Sequence, residues 1–429
     1  MHVGMLLDKP FPPDVRIQKE ADALLSAGHT VDLLCETDSN GDEPPRETVD
    51  GIAVFRHEQP ADARTRWPET LRSLATHVHP RWARLLRDHV ETRGVDVLHV
   101  HDLPLVATAL TVRAETGVPV VADLHENYPE AVRQWRRMDD FEDLLTPARL
   151  AERVGLPVRR LKWLERHCVR RADHVLTVVE EGRDHYVYDC RGPPDTISVV
   201  SNTVDLSTFD PEAVERPLRD APASAFVVGY VGKYAPHRGL ETVVRALPAL
   251  DGDASRASGD GRSTRLRVVG APGTPTYGAR FDALCAETGV TDRVTFTGWV
   301  DFADVPAQMA GCDACVVPHA STPHTETTVP HKLFQYMAMG KPVVVTDVAP
   351  LARIVRETES GLVVPAGDSQ AMAEALARLR DDPALCAELG RNGRAAVEET
   401  YNWDRDAERL LDVYERLADR VSAADEAAV

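Results

Sequence analysis

Cysteine is sparse in this chain, seven among 429 residues and unevenly spaced. No disulfide framework is implied, and a reducing compartment is expected. Long apolar runs are missing as well. No stretch reaches the roughly 18 residues of a membrane-spanning helix, and the opening MHVGMLLDKP is too short an apolar run for a signal peptide. The expectation is a cytoplasmic protein, or one attached peripherally to a membrane from its cytoplasmic face. Positive charge is in deficit, with 49 Lys plus Arg against 68 Asp plus Glu and a formal charge of −19. That balance disfavours a nucleic-acid binder working through phosphate contacts. The cations are almost all arginine and the acids are spread along the chain. Such a surface is expected of a halophilic, salt-adapted cytosol, or reflects the arginine codons of a GC-rich genome. The dinucleotide fingerprint GxGxxG and the phosphate loop GxxxxGK[ST] are both absent.

What is present is an alternation of short Val/Leu-rich runs with longer amphipathic segments, which predicts α/β architecture with parallel sheets covered by helices. VGMLL, TVDLLC, VDVLHV, VPVVADL, HVLTVV and TISVVS are the strands expected over residues 1–205. A first helix is expected from about Asp14 to Ala27. Residues 206–221, rich in proline and acid, read as a linker. The alternation then resumes over 222–402 with FVVGYVG, LRVVG, RVTFTG, DACVVP, KPVVVT and GLVVP. Two doubly wound, Rossmann-like domains follow from this, with ligands expected at the carboxyl ends of the strands. A closing helix over 403–418 is expected to pack back on the first domain, with a frayed acidic tail over 419–429. Cys312 and Cys315 form a CxxC without a second pair and read as small core residues. Asp251 and Asp253 form a DxD in a low-complexity surface loop without a frame to hold a metal, so no metal site is assigned.

Two segments carry phosphate signals. In TVPHKLFQYMAMGKPVV, Pro330 suits the first position of a short helix and Gly340 the position beyond its end. The start of such a helix offers free N–H groups and a positive dipole end to a phosphate, with Glu326, Thr327 and Thr328 leading into it and Lys332 within its first turn. In GYVGKYAPHRGLETVVRAL, Lys233 and Arg238 follow a strand and precede a helix, and two cations there can clamp a diphosphate. An ordinary strand-loop-helix joint and two solvated loop cations are the alternatives at this point.

Together, GK-x4-RG and PHKLFQYMAMGKPVV resemble the donor half of a retaining glycosyltransferase of family four (glycosyl transferases group 1), with the GT-B fold. FPPDVRIQKEADALLSAGHTVDLL, HVHDLPL, VADLHENYPEA, SNTVDLSTF, GLVVPAGDSQAMAEAL and NWD resemble the same family in the expected order. The resemblance implies transfer of a sugar from a nucleotide-sugar with retained configuration, to a lipid-linked or glycan acceptor. It places Lys233 and Arg238 on the diphosphate and His101 beside the reacting sugar. Arg16, His125 and Glu126 fall on the acceptor side, and Trp299 and Val300 in the loop that meets the nucleobase. The family's paired acids fall at Thr327 and Gln335. Glu326, one residue earlier, is expected to replace the first through a shift of the loop, and Gln335 to contact the ribose as a neutral group. Asn202, followed by Thr203 where the family has glycine, is expected at the domain edge. No cofactor or catalytic metal is implied. A non-catalytic nucleotide-sugar-binding partner and a GT-B nucleotide-sugar epimerase are the alternative functions.

Between Val132 and Arg171 the local charge reverses, with Trp135, Arg136, Arg137, Arg159, Arg160, Lys162, Trp163, Arg166, Arg170 and Arg171. An anionic membrane surface or a lipid-phosphate acceptor is one expectation, and a solvated helix face the other.

Overall fold

The computed structural model describes residues 1–37, 43–58, 63–138, 155–250 and 262–428. Asp251 and Asp253, and residues 139–154 within the basic stretch, lie outside the described residues. The chain divides into two units, Met1–Ser201 with Asp406–Val429, and Asn202–Arg405.

The first unit is built on an eight-stranded sheet in the order β3-β4-β2-β1-β5-β6-β7-β8. Its strands are β1 His2–Pro10, β2 Thr30–Glu36, β3 Arg46–Val49, β4 Ile52–His57, β5 Val97–His101, β6 Val120–Leu124, β7 His174–Thr177 and β8 Ile197–Val199. All neighbours pair in parallel except β3 with β4. Every residue of β5, β6 and β7 is buried, as strands covered on both faces must be. The β3–β4 hairpin was not expected from the sequence. Its residues RETV and IAVFRH alternate in burial at the sheet margin, a pattern too short and too polar to stand out beside the continuous apolar runs.

Helix α1 spans Val15–Ser26, and the Asp14 carboxylate accepts from the N–H groups of Arg16 and Ile17, satisfying two donors that the helix leaves free. The closing helix spans Trp403–Ala428, so the segment from 419 to 428 continues the helix instead of forming the frayed tail that its acidity suggested. In the first unit this helix contributes Leu410, Val413, Tyr414 and Leu417 to the interior, and the Tyr414 hydroxyl lies 2.7 Å from His99 Nδ1.

The second unit carries a six-stranded sheet in the order β11-β10-β9-β12-β13-β14. Its strands are β9 Phe226–Val231, β10 Thr264–Val269, β11 Val294–Gly298, β12 Ala314–Val317, β13 Val343–Thr346 and β14 Gly361–Val364. All pair in parallel, and they are the six expected runs. The cysteines of the CxxC are core residues: a Cβ on Gly229 of β9 would lie 2.6 Å from Cys312 Sγ. Part of the expected linker is bonded into this unit. Leu218 N–H donates to Ala307 at 2.9 Å, and Arg219 pairs with Asp313 at 2.8 Å. Proline and charge made this segment look loose, but Asp313 also takes the Val227 N–H at the start of β9, so the ion pair ties the segment to an interior strand of the sheet.

Replacing Tyr414 with Phe removes the hydroxyl that satisfies His99 within the first unit. Urea unfolding is expected to show a loss of about 1–3 kcal/mol, the cost of leaving a buried polar group unpaired. An unchanged unfolding midpoint would contradict this account of how the closing helix is held.

Candidate active site

The residues expected to carry chemistry collect at the carboxyl ends of the strands, in a cluster within each unit. In the first unit the centre is Asp123 of β6, a fully buried carboxylate that sequence reasoning did not single out. Arg16 of α1 grips it bidentately, with Nε donating at 2.9 Å and Nη2 at 2.7 Å. The remaining guanidinium donors reach the Val200 carbonyl at 3.0 Å and Glu20 at 2.9 Å. Arg16 is therefore buried and occupied, which corrects its expected place on the acceptor. Its partners lie one helical turn along α1 and at the ends of β6 and β8, and only the tertiary fold brings them together.

Two further groups bind the same carboxylate. His101 Nδ1 donates to Asp123 Oδ2 at 3.2 Å, and His125 Nε2 donates to the same oxygen at 2.5 Å. His101 is fully buried, stacks on His99 with ring centroids 4.6 Å apart, and its Nε2 has no hydrogen-bond partner among the described residues. Burial lowers its pKa, and the neighbouring His99 adds to this. With Nδ1 holding the proton, a neutral His101 presents Nε2 as an acceptor.

His125 is one-fifth exposed. Burial disfavours its cation, but the Asp123 and Asp102 carboxylates outweigh burial and raise its pKa to about 9. His99 behaves similarly, raised to about 9 by Asp123 and Glu20 against burial. Asp123 is pulled well below the carboxylate range: burial opposes ionisation, but Arg16, His125 and His101 prevail. Asp102, directly after His101, has φ +62°, a region costly for a residue other than glycine. It receives Lys9 at 3.2 Å and lies 3.5 Å from His125 Nδ1. Asp8, which the sequence reading passed over, is raised to about 6 by burial and by Asp102. Glu126 is half-buried beside His125, and its carbonyl accepts the Tyr186 hydroxyl at 3.1 Å.

In the second unit the helix His331–Ala338 begins after Pro330, which takes the flanking position one residue earlier than expected and has no side-chain group with which to cap the helix. Gly340, at φ +63°, follows its end. Val231 N–H of β9 donates to Tyr336 at 2.7 Å, and Asn202 donates to the Val329 carbonyl at 3.1 Å. The strand end and the approach to the helix are thus both tied down. Lys332 is buried with its ammonium 3.7 Å from the centroid of Tyr230. Arg238 Nη1 donates to His319 Nε2 at 3.2 Å. Among the described residues no carboxylate pairs with Lys332, Arg238 or Lys233. Burial, reinforced by Arg238, drives the Lys332 pKa well below its ordinary value.

Three histidines absent from the sequence-based set surround these cations. His319 is lowered well below the usual range by burial and by Arg238, His237 to about 3 by the same two causes, and His324 to about 4 by the same. They are neutral near pH 7 and add donors without adding charge. Backbone fit is tight here. Gly239 has φ +65°, and a Cβ on it would meet the Pro318 carbonyl oxygen at 1.9 Å. A Cβ on Gly232 would lie 3.1 Å from Lys332 Nζ.

The acids and hydroxyls ahead of the helix are placed differently from expectation. Glu326 is spent on the fold, accepting from Ser321 at 2.6 Å and from the Ala349 N–H at 2.8 Å at the start of the helix Ala349–Thr358. It is a helix cap and does not replace the missing first acid of the pair. The Thr327 hydroxyl donates back to the Pro323 and His324 carbonyls at 3.2 Å, and Thr328 is extended. Gln335 is half-buried, one turn into the helix. Trp299 is 79% exposed beyond β11, Val300 is half-buried, and Gly298 bridges to Gly270 at the end of β10.

The basic stretch resolves into separate parts. Arg136 and Arg160 donate to the backbone carbonyls of Leu156 and Gly155, and Lys162 pairs with Glu130 at 2.6 Å. Trp135 is 40% exposed. On the helix Val158–Val169 and just beyond it, Arg159, Trp163, Arg166 and Arg170 are exposed at spacings of four, three and four, which place them on one face. Arg171 is also exposed, and donates to His167 at 3.0 Å. The side chain of Arg137 lies outside the described residues.

Two consequences can be measured. The His125 ring, followed by NMR, should titrate near pH 9, and Asp102→Asn should move that value down. Because its folded pKa is above the ordinary 6.5, the stability that His125 contributes is complete below pH 6.5 and is lost as pH rises through 9. Denaturant unfolding at pH 7 and 9.5 should show this decline, and a flat profile would contradict it.

Comparison with known proteins adds sequence and structural relatives. Residues 13–203 match the family model described as glycosyl transferase 4-like domain, and residues 225–382 match glycosyl transferases group 1. The chain is 29% identical over 419 residues to D-inositol 3-phosphate glycosyltransferase of Acidothermus cellulolyticus, covering 96% of this chain and 87% of that one. It is 26% identical to alpha-D-kanosaminyltransferase of Streptomyces kanamyceticus, covering 70% and 71%. Among solved structures it resembles sucrose-phosphate synthase from Thermosynechococcus elongatus, with TM-score 0.76, 21% identity and coverage of 98% and 99%. Anabaena HepE in complex with UDP-glucose gives TM-score 0.65, 16% identity and coverage of 99% and 100%. With both Rossmann-like units matched by glycosyltransferase models and the fold shared with these structures, the chain is a glycosyltransferase of the GT-B fold.

Proposed function

We propose that the protein transfers a sugar from a nucleotide-sugar donor, with retention of configuration, to a lipid-linked or glycan acceptor. The observation that carries the donor assignment is Lys332: an ammonium buried in the second unit, next to Arg238 and facing no acid among the described residues. Burial without a counterion disfavours the charged form of this lysine, and an anion bound at the start of the helix His331–Ala338 would restore and stabilise the ammonium. A diphosphate suits the arrangement because Lys332 and Arg238 are joined by exposed Lys233 and by neutral histidine donors. The solved complexes of Anabaena HepE with UDP and with UDP-glucose support a donor of this class.

On this reading Lys233, Arg238 and Lys332 stabilise the charge that develops on the leaving diphosphate as the glycosidic bond breaks. His101, held by Asp123 with Nε2 bare, accepts a hydrogen bond from a sugar hydroxyl. The departing phosphate oxygen takes the acceptor's proton, so no metal and no cofactor enters the reaction. Trp299 and Val300 line the nucleobase side, Thr328 the phosphate side, and Gln335 the ribose, while His125 and Glu126 face the acceptor. The exposed face of Arg159, Trp163, Arg166 and Arg170 supports contact with an anionic lipid surface, where a lipid-phosphate acceptor is presented. The protein then works in the cytoplasm, on that face of the membrane, and its acidic remainder suits a salty solvent.

Lys332→Met distinguishes a ligand-binding lysine from a structural one. It should not lower the thermal midpoint, because a buried amine without an acidic partner is replaced by an apolar chain of similar length, and should weaken nucleoside-diphosphate binding by about 10–100-fold, the loss of one charge-assisted contact. Isothermal titration with UDP, GDP and ADP reads the second effect, and unchanged affinity for all three would overturn the donor site. Arg238→Ala should lower the turnover of labelled sugar by about 100-fold or more while far-ultraviolet circular dichroism stays unchanged.

A further inference from the structure

Away from both clusters, the first unit contains a buried group that the transfer reaction does not use. Glu165 lies on the inner face of the helix Val158–Val169, 3% exposed in its side chain. His185 and Cys190 come from the segment after β7. Five residues apart, they would sit about 140° apart on an α-helix of 3.6 residues per turn. They share a face here because His185–Asp189 forms a π-helical turn, closed by the Cys190 N–H donating to the His185 carbonyl at 3.1 Å. Such turns are uncommon, and their wider winding brings positions i and i+5 together.

The three side chains converge through single atoms. His185 Nε2 is 3.2 Å from Glu165 Oε2, Cys190 Sγ is 3.6 Å from the same oxygen, and Cys190 Sγ is 3.7 Å from His185 Nε2. Tetrahedral zinc with ordinary bond lengths sets its ligand atoms roughly 3.3 Å apart for nitrogen and oxygen, and roughly 3.5 Å apart where sulfur is one of the pair. The observed triangle matches those edges with little movement. Asp189 Oδ2 accepts from His185 Nδ1 at 3.0 Å, which holds the ring in the tautomer whose Nε2 faces the other two ligands. A carboxylate behind a histidine in this way is what orients metal-binding imidazoles.

We infer that Glu165, His185 and Cys190 bind a thiophilic divalent cation of the zinc class, with the fourth position left to water. Coordination replaces the thiol proton of Cys190, which leaves to solvent as the thiolate–metal bond forms. The ion would join the helix Val158–Val169 to the π-turn. Tyr186, inside that turn, donates to the Glu126 carbonyl, so occupancy would also steady the loop that carries His125. The site is independent of the donor assignment.

The test uses the full chain, stripped with chelator and titrated with Co2+ as a spectroscopic probe. One equivalent should produce the near-ultraviolet thiolate-to-cobalt charge-transfer band and visible bands of tetrahedral intensity. Cys190→Ser should abolish the charge-transfer band, Glu165→Gln should weaken binding at least tenfold, and a Cys312→Ser, Cys315→Ser double variant should retain both band and affinity. If Cys190→Ser does not fold, zinc K-edge absorption of the wild-type chain replaces it, and must report one sulfur among light ligands. Absence of the band, its survival in Cys190→Ser, its loss in the Cys312/Cys315 variant, or a zinc shell without sulfur would each overturn the site.

Discussion

The arrangement of the first unit depends on a single carboxylate. Asp123 lies one residue from the end of β6, a strand buried on both faces, where an unpaired charge is strongly unfavourable. The fold supplies Arg16 from α1 and the histidines from the ends of β5 and β6, so that one charge fixes the orientation of three side chains. His101 is thereby given a defined tautomer. His125 keeps its proton while His101 loses it, although both rings bond the same oxygen. The difference comes from what else each ring faces: Asp102 beside His125, and the cationic His99 stacked on His101.

The second unit applies the opposite electrostatic choice. Its cations are left without acids among the described residues, and three histidines around them are held neutral by burial and by those same cations. In a chain with an excess of 19 negative charges, no carboxylate among the described residues pairs with Lys233, Arg238 or Lys332. The Glu326 carboxylate is committed to Ser321 and to a helix start. Only six lysines occur in the whole sequence, and Lys233 and Lys332 are two of them. Lys332 depends on Gly232, because a side chain on that residue would crowd the ammonium.

Much of this was legible in the sequence. Continuous Val/Leu runs cannot be buried on one face only, so they announced parallel sheets and their number in the second unit. Pro330 and Gly340 marked the bounds of the helix His331–Ala338, and the strand runs marked the loop that carries Lys233 and Arg238. The β3–β4 hairpin escaped because its period-two pattern is short and half-exposed. Arg16 was misassigned because its partners, Asp123, Glu20 and Val200, are set by how α1 lies against the strand ends. Glu326 was misassigned because a carboxylate one position out of register looks like a displaced functional acid until its helix-capping bonds are seen.

The sequence by itself determined the class of fold, the strand content of the second unit and the positions where chemistry could occur, since periodicity, turn residues and local charge are properties of neighbours along the chain. Only the tertiary structure decided what those residues do. Protonation, tautomer and availability depend on groups far apart in sequence: Asp123 with Arg16, His99 with Tyr414, Lys332 with Tyr230, and Glu165 with Cys190. Burial raises the cost of every unmatched charge, and the identity of the match is a matter of three-dimensional proximity.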